Sequence, residues 1–274
     1  MNDQTQAIAD NCIKRLKDLR CCVIIPTYNN AGTLSAVIDE TLEYCADVIV
    51  VNDGCTDGTA QIISSFGERI RSLTQERNQG KGVALQCGMA YAQRLGFRYA
   101  ITMDSDGQHY PSDIPNFVDA IEQNPGTLLV GARNLNAEGM PGKNTFANRF
   151  SNFWFRLETG VRLEDTQSGF RAYPLDKISL GSHLLTGGYE FELEMLVFTA
   201  WKGVPVKNIP VRVYYPPEGE RVSHFRPFRD FTKISILNTL LVLYCLLWRW
   251  PANFFRKLSW KNIKSFIDRN IIHS

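Results

Sequence analysis

Short apolar runs, each closed by a cluster of polar residues, recur through the first half of the chain. Cys22 to Ile25 is rich in β-branched residues and is closed by Pro26, which predicts a buried strand and then a turn. Asp47 to Val51 predicts a second strand, ending in Asn52-Asp53-Gly54. Arg71 to Gln75 predicts a weaker one, and Tyr99 to Met103 and Leu128 to Ala132 predict two more. Between them the apolar spacing becomes helical, from about Leu34, over Thr59 to Phe66, over Ala84 to Leu95 and over Asp113 to Gln123. Strands alternating with helices predict an α/β fold with a mainly parallel sheet covered on both faces.

Past residue 133 the alternation weakens. A Gly- and Asn-rich connection leads to a helix over about 146–158, a polar segment from Asp165 to Tyr173 and a helix around Glu190 to Trp201. Residues 234–248 are an apolar run interrupted by Ser235, Asn238 and Thr239. That is shorter than the roughly 20 residues a membrane-crossing helix needs, so no crossing is expected of it alone. From Ala252 to Ile272, Phe254, Phe255, Trp260 and Phe266 mingle with Arg256, Lys257, Lys261 and Lys264, a composition suited to a membrane headgroup region.

With 44% hydrophobic and 21% charged residues in 274, the composition is that of a globular protein. The formal charge of +2 conceals a gradient: residues 249–274 hold six Lys or Arg against one acidic residue, which leaves the remainder near −3. Seven cysteines, an odd number with Cys21 and Cys22 adjacent, show neither zinc spacing nor a disulfide framework and suit a reducing compartment. The first twenty residues are charged throughout and lack the apolar core of a signal peptide. These features together predict a cytoplasmic protein.

In a parallel α/β sheet, ligands bind beyond the carboxyl ends of the strands, and the polar clusters of this chain fall there. Asp104 and Asp106, two apart after Ala100-Ile101-Thr102-Met103, can turn both carboxylates toward a hard divalent ion. A solvated turn would also explain such a pair taken alone. Asp53 is placed to accept hydrogen bonds from a base or ribose, whereas Asp57 suits a structural cap. Asn78-Gln79-Gly80-Lys81-Gly82 is a glycine turn before a helix, able to aim backbone donors and one ammonium at an anion, without P-loop spacing. Glu190, Glu192 and Glu194 offer a general base, but their spacing cannot put all three on one helix face, so at least one is expected in solvent.

Five segments, Ile25-Pro26-Thr27-Tyr28-Asn29, Val50 to Thr59, Asn78 to Gly82, Met103 to His109 and Asp165 to Arg171, together resemble the family 2 glycosyltransferases. Within that family they are similar to the dolichyl-phosphate mannose synthase-like group of polyprenyl-phosphate glycosyltransferases. The resemblance spans about residues 22–230 and implies a GT-A fold, Rossmann-like, with C-terminal amphipathic helices appended. It implies an inverting transfer of sugar from a UDP- or GDP-linked donor to a lipid-linked acceptor such as polyprenyl phosphate. By it, Pro26, Tyr28 and Asp53 hold base and ribose, with Asn29, Asn78, Lys81 and Ser105 also on the donor side. Asp104, Asp106 and Gln108 hold Mg2+ or Mn2+ on the diphosphate. Arg133 and Ser168 face a lipid phosphate, Glu190 is the candidate base, and Arg221 of Arg221-Val222-Ser223-His224 closes over the donor. Asn30 stands where the family commonly has Glu, and His224 where Lys is common.

The expected organisation is a helical lead-in over 1–20, a catalytic domain over 21–230 and apolar and basic helices over 231–274 at a membrane surface or an interface. The enzyme is expected to sit peripherally on the cytoplasmic face of the membrane, with no nucleic-acid partner. Three alternatives stay open at this point: a glycosyltransferase with a non-lipid glycan acceptor whose terminal helices pair in a homodimer, a nucleotidyltransferase, or a silent nucleotide-sugar binder. The absence of a glycine-rich, basic first loop weighs against the second, and the retained carboxylate pair against the third.

Overall fold

The structure is a computed structural model that describes residues 3–133, 142–180, 186–215 and 227–251. Seven strands, β1 (Cys21–Thr27), β2 (Val48–Asn52), β3 (Arg71–Thr74), β4 (Tyr99–Thr102), β5 (Leu128–Arg133), β6 (Arg171–Pro174) and β7 (Val206–Val211), form one sheet in the order β3-β2-β1-β4-β6-β5-β7. The helices are α1 (Asp3–Leu19), α2 (Leu34–Leu42), α3 (Thr59–Ser65), α4 (Lys81–Arg94), α5 (Ile114–Gln123), α6 (Gly142–Thr159), α7 (Phe191–Trp201) and α8 (Pro227–Tyr244).

The five strands expected from the apolar runs all form. β1 pairs in parallel with β2 and β4, and β2 with β3, which is the predicted half of the sheet. β6 runs antiparallel between β4 and β5 and makes the sheet mixed, while β7 extends it beside β5. Alternate side chains along β1, β2 and β4 enter two cores. Val23, Ile25, Val48, Val50 and Ile101 pack under α1, α2, α3 and α5. Cys22, Ile24, Ile49, Val51 and Ala100 pack under α4 and α7, with Phe155 of α6 and Leu237 of α8. Burial on both sides is why these strands read as unbroken apolar runs rather than alternating ones. The seven cysteines are free thiols.

Two sequence expectations need correction. The apolar C-terminal run is part of a longer helix: α8 begins at Pro227 and continues through a π-helical turn, Cys245–Arg249. Arg229–Arg249 is 21 residues long and contains an 18-residue window of mean hydropathy 1.6, long and apolar enough to cross a membrane by length and composition. The count from 234 to 248 missed it because Arg229, Asp230 and Lys233 open the helix. Nor is α8 amphipathic in the expected sense. Leu237, Leu241 and Cys245 face the core, while Ile236, Leu240, Leu243 and Leu247 form an exposed apolar row on another side, Leu247 being 75% exposed. The basic stretch from 252 onward lies outside the described residues, as does the second expected C-terminal helix.

The second correction concerns the three glutamates, all of which are buried. Glu194 accepts hydrogen bonds from the Thr186 amide and hydroxyl, at 3.0 and 2.6 Å. Glu192 faces Lys81, and Glu190 lies at the start of α7 toward the cleft. They face different groups, although Glu190 Oε2 and Glu192 Oε1 accept no hydrogen bond, and their spacing did not force any into water.

Candidate active site

β1 and β2 end level with one another, Thr27 opposite Asn52, and β4 ends beside them at Thr102, opposite Ile24, so the residues that follow these strands meet at one edge. There they line a cleft of about 800 Å³. Pro26, Tyr28, Asp53, Asn78, Lys81 and Ser105 all reach it, as do Asp104 and Asp106. The strand-end clusters expected to share one crevice thus contribute to the same cleft, and Asn78 and Lys81 join them.

Asp53 is buried at the end of β2 and is held from inside the protein. One carboxylate oxygen accepts the Gln79 N–H at 2.7 Å and the other the Gly80 N–H at 2.9 Å. These donors lie just before α4, where the helix dipole favours a negative charge. Burial raises the Asp53 pKa, and the two hydrogen bonds oppose that rise. Asp53 therefore fixes the 78–80 turn against β2, a role the sequence did not disclose. The turn needs glycine: Gly80 has φ +102, and a Cβ there would lie 2.6 Å from the Gly187 carbonyl oxygen. Asp57 is the structural cap expected of it, accepting from Thr59 N at 3.0 Å and Ala31 N at 3.2 Å.

Lys81 is the first residue of α4, and its ammonium sits between two carboxylates, 2.7 Å from Asp104 Oδ1 and 2.7 Å from Glu192 Oε2. From the sequence Glu192 was only one of three candidate bases, because nothing in the chain order joins α4 to α7. Behind Glu192 lies Arg171, fully buried on β6. Its guanidinium donates to the carbonyls of Ser168, Glu192 and Thr166, and its Nε is 3.9 Å from Glu192 Oε1. Gly169 leaves room for this cluster, because a Cβ would fall 2.6 Å from Asp104 Oδ2 and 2.9 Å from Lys81 Nζ.

The Asp104 carboxyl is held below the ordinary carboxylate range: burial opposes ionisation, and Lys81 more than reverses that. Asp106 is pushed up to about 6 by burial and by the charge of Asp104. A carboxylate whose neighbour's charge raises its pKa makes a site that a divalent cation relieves, and the oxygens of the pair suit Mg2+ or Mn2+. Among the described residues no group of three or more His, Cys, Asp or Glu could hold a metal. An ion here would therefore need oxygens from a ligand as well, as Mg2+ on a diphosphate does. Gln108 supplies backbone contacts: its N–H donates to Asp106 Oδ1 at 3.0 Å, shaping the turn that carries the pair, and its carbonyl accepts from Tyr214 N. His109 behind them is buried against Phe170, and burial lowers its pKa to about 4, so it is neutral near pH 7.

Other predicted site residues also make structural contacts. Asn29, with φ +49, exchanges hydrogen bonds with Thr56 and ties the β1 loop to the β2 loop. Asn30, where the family commonly has Glu, donates to Ser105 Oγ at 2.6 Å and also lines the cleft. Ser168 is buried, its hydroxyl accepting the Phe170 N–H at 3.3 Å. Arg133 makes a two-pronged pair with Asp165, at 2.6 and 3.0 Å. Neither Ser168 nor Arg133 lines the cleft. Glu190 does, with Oε1 3.6 Å from Lys233. Arg221 and His224 lie outside the described residues. What the sequence missed is the far wall of the cleft, formed by Arg229, Asp230 and Lys233 of α8.

Residues 22–173 match the family described as glycosyl transferase family 2, more than half of the chain. Polyprenol monophosphomannose synthase of Mycolicibacterium smegmatis is 28% identical over 204 residues, covering 70% of this chain and 76% of that protein. UDP-N-acetylglucosamine–dolichyl-phosphate N-acetylglucosaminyltransferase of Methanococcus voltae is 28% identical over 213 residues, covering 70% and 85%. Among solved structures, glucosyl-3-phosphoglycerate synthase from Mycobacterium tuberculosis, in complex with Mn2+, UDP-glucose and phosphoglyceric acid, superimposes with a TM-score of 0.61. It is 21% identical, with coverage of 86% of this chain and 82% of that one, a likeness of fold. The chain belongs to glycosyl transferase family 2, and the fold is GT-A. It is a glycosyltransferase of that family.

Proposed function

We propose that this enzyme moves a sugar, with inversion, from a nucleoside-diphosphate sugar to a polyprenyl phosphate at the cytoplasmic surface of a membrane. One observation carries the reading. α8 forms a wall of the carboxylate-lined cleft with Arg229, Asp230 and Lys233, then leaves it as a helix with an exposed apolar row. The names of the relatives agree, since the mycobacterial and archaeal proteins above are named for polyprenol and dolichyl phosphate.

In this reading the nucleoside lies against Pro26 and Tyr28, beside the turn that Asp53 anchors, and the diphosphate lies toward Asp104 and Asp106. A divalent ion held there supplies positive charge to the departing diphosphate. A phosphate oxygen of the acceptor forms the new bond to the anomeric carbon as the bond to the diphosphate breaks on the opposite face, leaving the nucleoside diphosphate. An acceptor already ionised loses no proton in that step, so cations near the cleft matter more than a base. Arg229 and Lys233 are the described cations at the α8 wall, and Arg221 belongs to the segment just before it. The catalytic unit (21–230) and the C-terminal segment (231–274) then join within α8 rather than at a linker.

The test has two stages. Thermal unfolding is followed with UDP, GDP and their sugar conjugates, with and without Mn2+, because a ligand of the native state raises apparent stability. The stabilising donor is then supplied with undecaprenyl phosphate in detergent, or with soluble oligosaccharides. Metal-dependent transfer to the lipid phosphate is the expected result; transfer to the oligosaccharide alone would refute the lipid assignment.

A further inference from the structure

Lys81 presents an unusual arrangement for a residue of a donor site: its ammonium already has two anions. Asp104 Oδ1 and Glu192 Oε2 are each 2.7 Å away, the Tyr189 ring centroid is 5.9 Å away, and the side chain is only 16% exposed. Glu192 is itself backed by the buried Arg171, and Gly169 packs against both Lys81 and Asp104. The cleft therefore contains its own cation, seated on one of the two carboxylates that suit a divalent ion.

Resting on the donor-and-metal reading above, we infer that Lys81 is a positioning residue that couples the divalent ion to the donor diphosphate. It occupies Asp104 while both are absent, so the ion alone binds poorly. A diphosphate arriving in the same cleft offers the ammonium another anion and frees Asp104 for the ion. Ion and diphosphate each then strengthen the binding of the other by the same factor, as linkage requires. Glu192 sets the balance, since it draws the ammonium away from Asp104. At these separations a unit charge acts strongly on a divalent cation, even with substantial screening.

The two sides of the bridge make opposite predictions, which a general loss of packing does not. Mn2+ affinity is measured by water-proton relaxation on the whole protein, without nucleotide and then with UDP or GDP, whichever stabilises it. Lys81→Met is expected to bind Mn2+ alone at least about tenfold more tightly and to lose most of the nucleotide-induced gain. Glu192→Gln is expected to bind Mn2+ alone roughly tenfold more weakly and to keep that gain. Lys81→Arg, which preserves the charge, should stay near wild type. Thermal unfolding of each variant checks that the fold persists. Unchanged or weaker Mn2+ binding in Lys81→Met, with normal binding by the wild type, overturns the coupling role and leaves the donor site standing. No Mn2+ binding by any of the proteins, with or without nucleotide, overturns the donor-and-metal reading and the role of Lys81 together.

Discussion

Arg133 grips Asp165 with two guanidinium nitrogens, at 2.6 and 3.0 Å, and Asp165 is wholly buried. The Asp165 carboxyl is held low: burial opposes its charge, and Arg133 outweighs burial. Arg133 thus has a structural partner whatever else it contacts.

Arg133→Ala should accordingly cost about 3–5 kcal/mol, the usual penalty for leaving one member of a buried pair charged and alone. Arg133→Met with Asp165→Leu should recover much of that loss in chemical denaturation. If Arg133 also faces the acceptor phosphate, the double variant should unfold like the wild type yet need several-fold more lipid phosphate for half-maximal rate. A normal acceptor KM would confine Arg133 to structure.

Asp53→Asn keeps one oxygen for the 78–80 turn but sets an amide NH2 against a backbone N–H. It should lower stability by about 1–3 kcal/mol and raise the donor KM more than it lowers kcat, because the turn is held similarly before and during reaction. Steady-state kinetics with thermal unfolding tests this; a fall in kcat alone would contradict it.

Gly169→Ala places a methyl group where Asp104 and Lys81 now meet, without any demand on backbone φ. Overpacking of this kind costs about 1–3 kcal/mol. Displacing Asp104 should cut turnover at least about tenfold, more than the stability change alone would suggest. A variant with full activity would show that the Asp104–Lys81 contact is dispensable.

Glu158 on α6 is buried, neither of its carboxylate oxygens has a partner, and burial pushes its pKa up to about 8 from 4.5. Between those values the folded protein holds a proton that the unfolded chain has released, so stability should fall as pH rises from about 4.5 to 8 and level off above. Glu158→Gln should flatten this slope and gain on the order of a few kcal/mol at pH 8 relative to wild type. Chemical denaturation at pH 5, 6.5 and 8 measures it, and parallel curves for the two proteins would refute the assignment.

Removal of residues 252–274 deletes five Lys or Arg, each adding about 1 kcal/mol of attraction near an anionic surface. The truncated protein should sediment less with anionic vesicles at low salt, while its donor hydrolysis by water stays close to wild type. Equal recovery of both proteins with anionic and neutral vesicles, at low and high salt, would remove the tail from membrane binding.

The parallel half of the sheet was legible because β1, β2 and β4 are buried on both faces and closed by polar residues, so local pattern and tertiary environment agree. β6 and β7 were not. Arg171 and Pro174 in one, and Lys207, Asn208 and Pro210 in the other, hide the strand signal, and pairing with neighbours decides their conformation. The cleft followed the same division. Residues at strand ends were found from chain order, whereas Glu192, Arg229, Asp230 and Lys233 come from helices whose approach only the folded chain reveals. Asp53 was legible as a strand-end acceptor, but its internal donors Gln79 and Gly80 were not, because an internal backbone donor and a ligand donor make the same demand on a carboxylate.

The continuity of α8 makes it a ruler with a fixed phase. From Arg229 at the cleft to Trp248 is about 28 Å at ~1.5 Å per residue. Each residue inserted between them would turn the exposed apolar row by roughly 100° relative to the cleft. The π-helical turn over 245–249 takes up more residues per turn than the helix before it, and so re-aims Trp250 relative to the row that ends at Leu247. Orientation at the far end of this helix is therefore written into residue count, and lengthening α8 by one residue would be a larger change than replacing any single leucine on it.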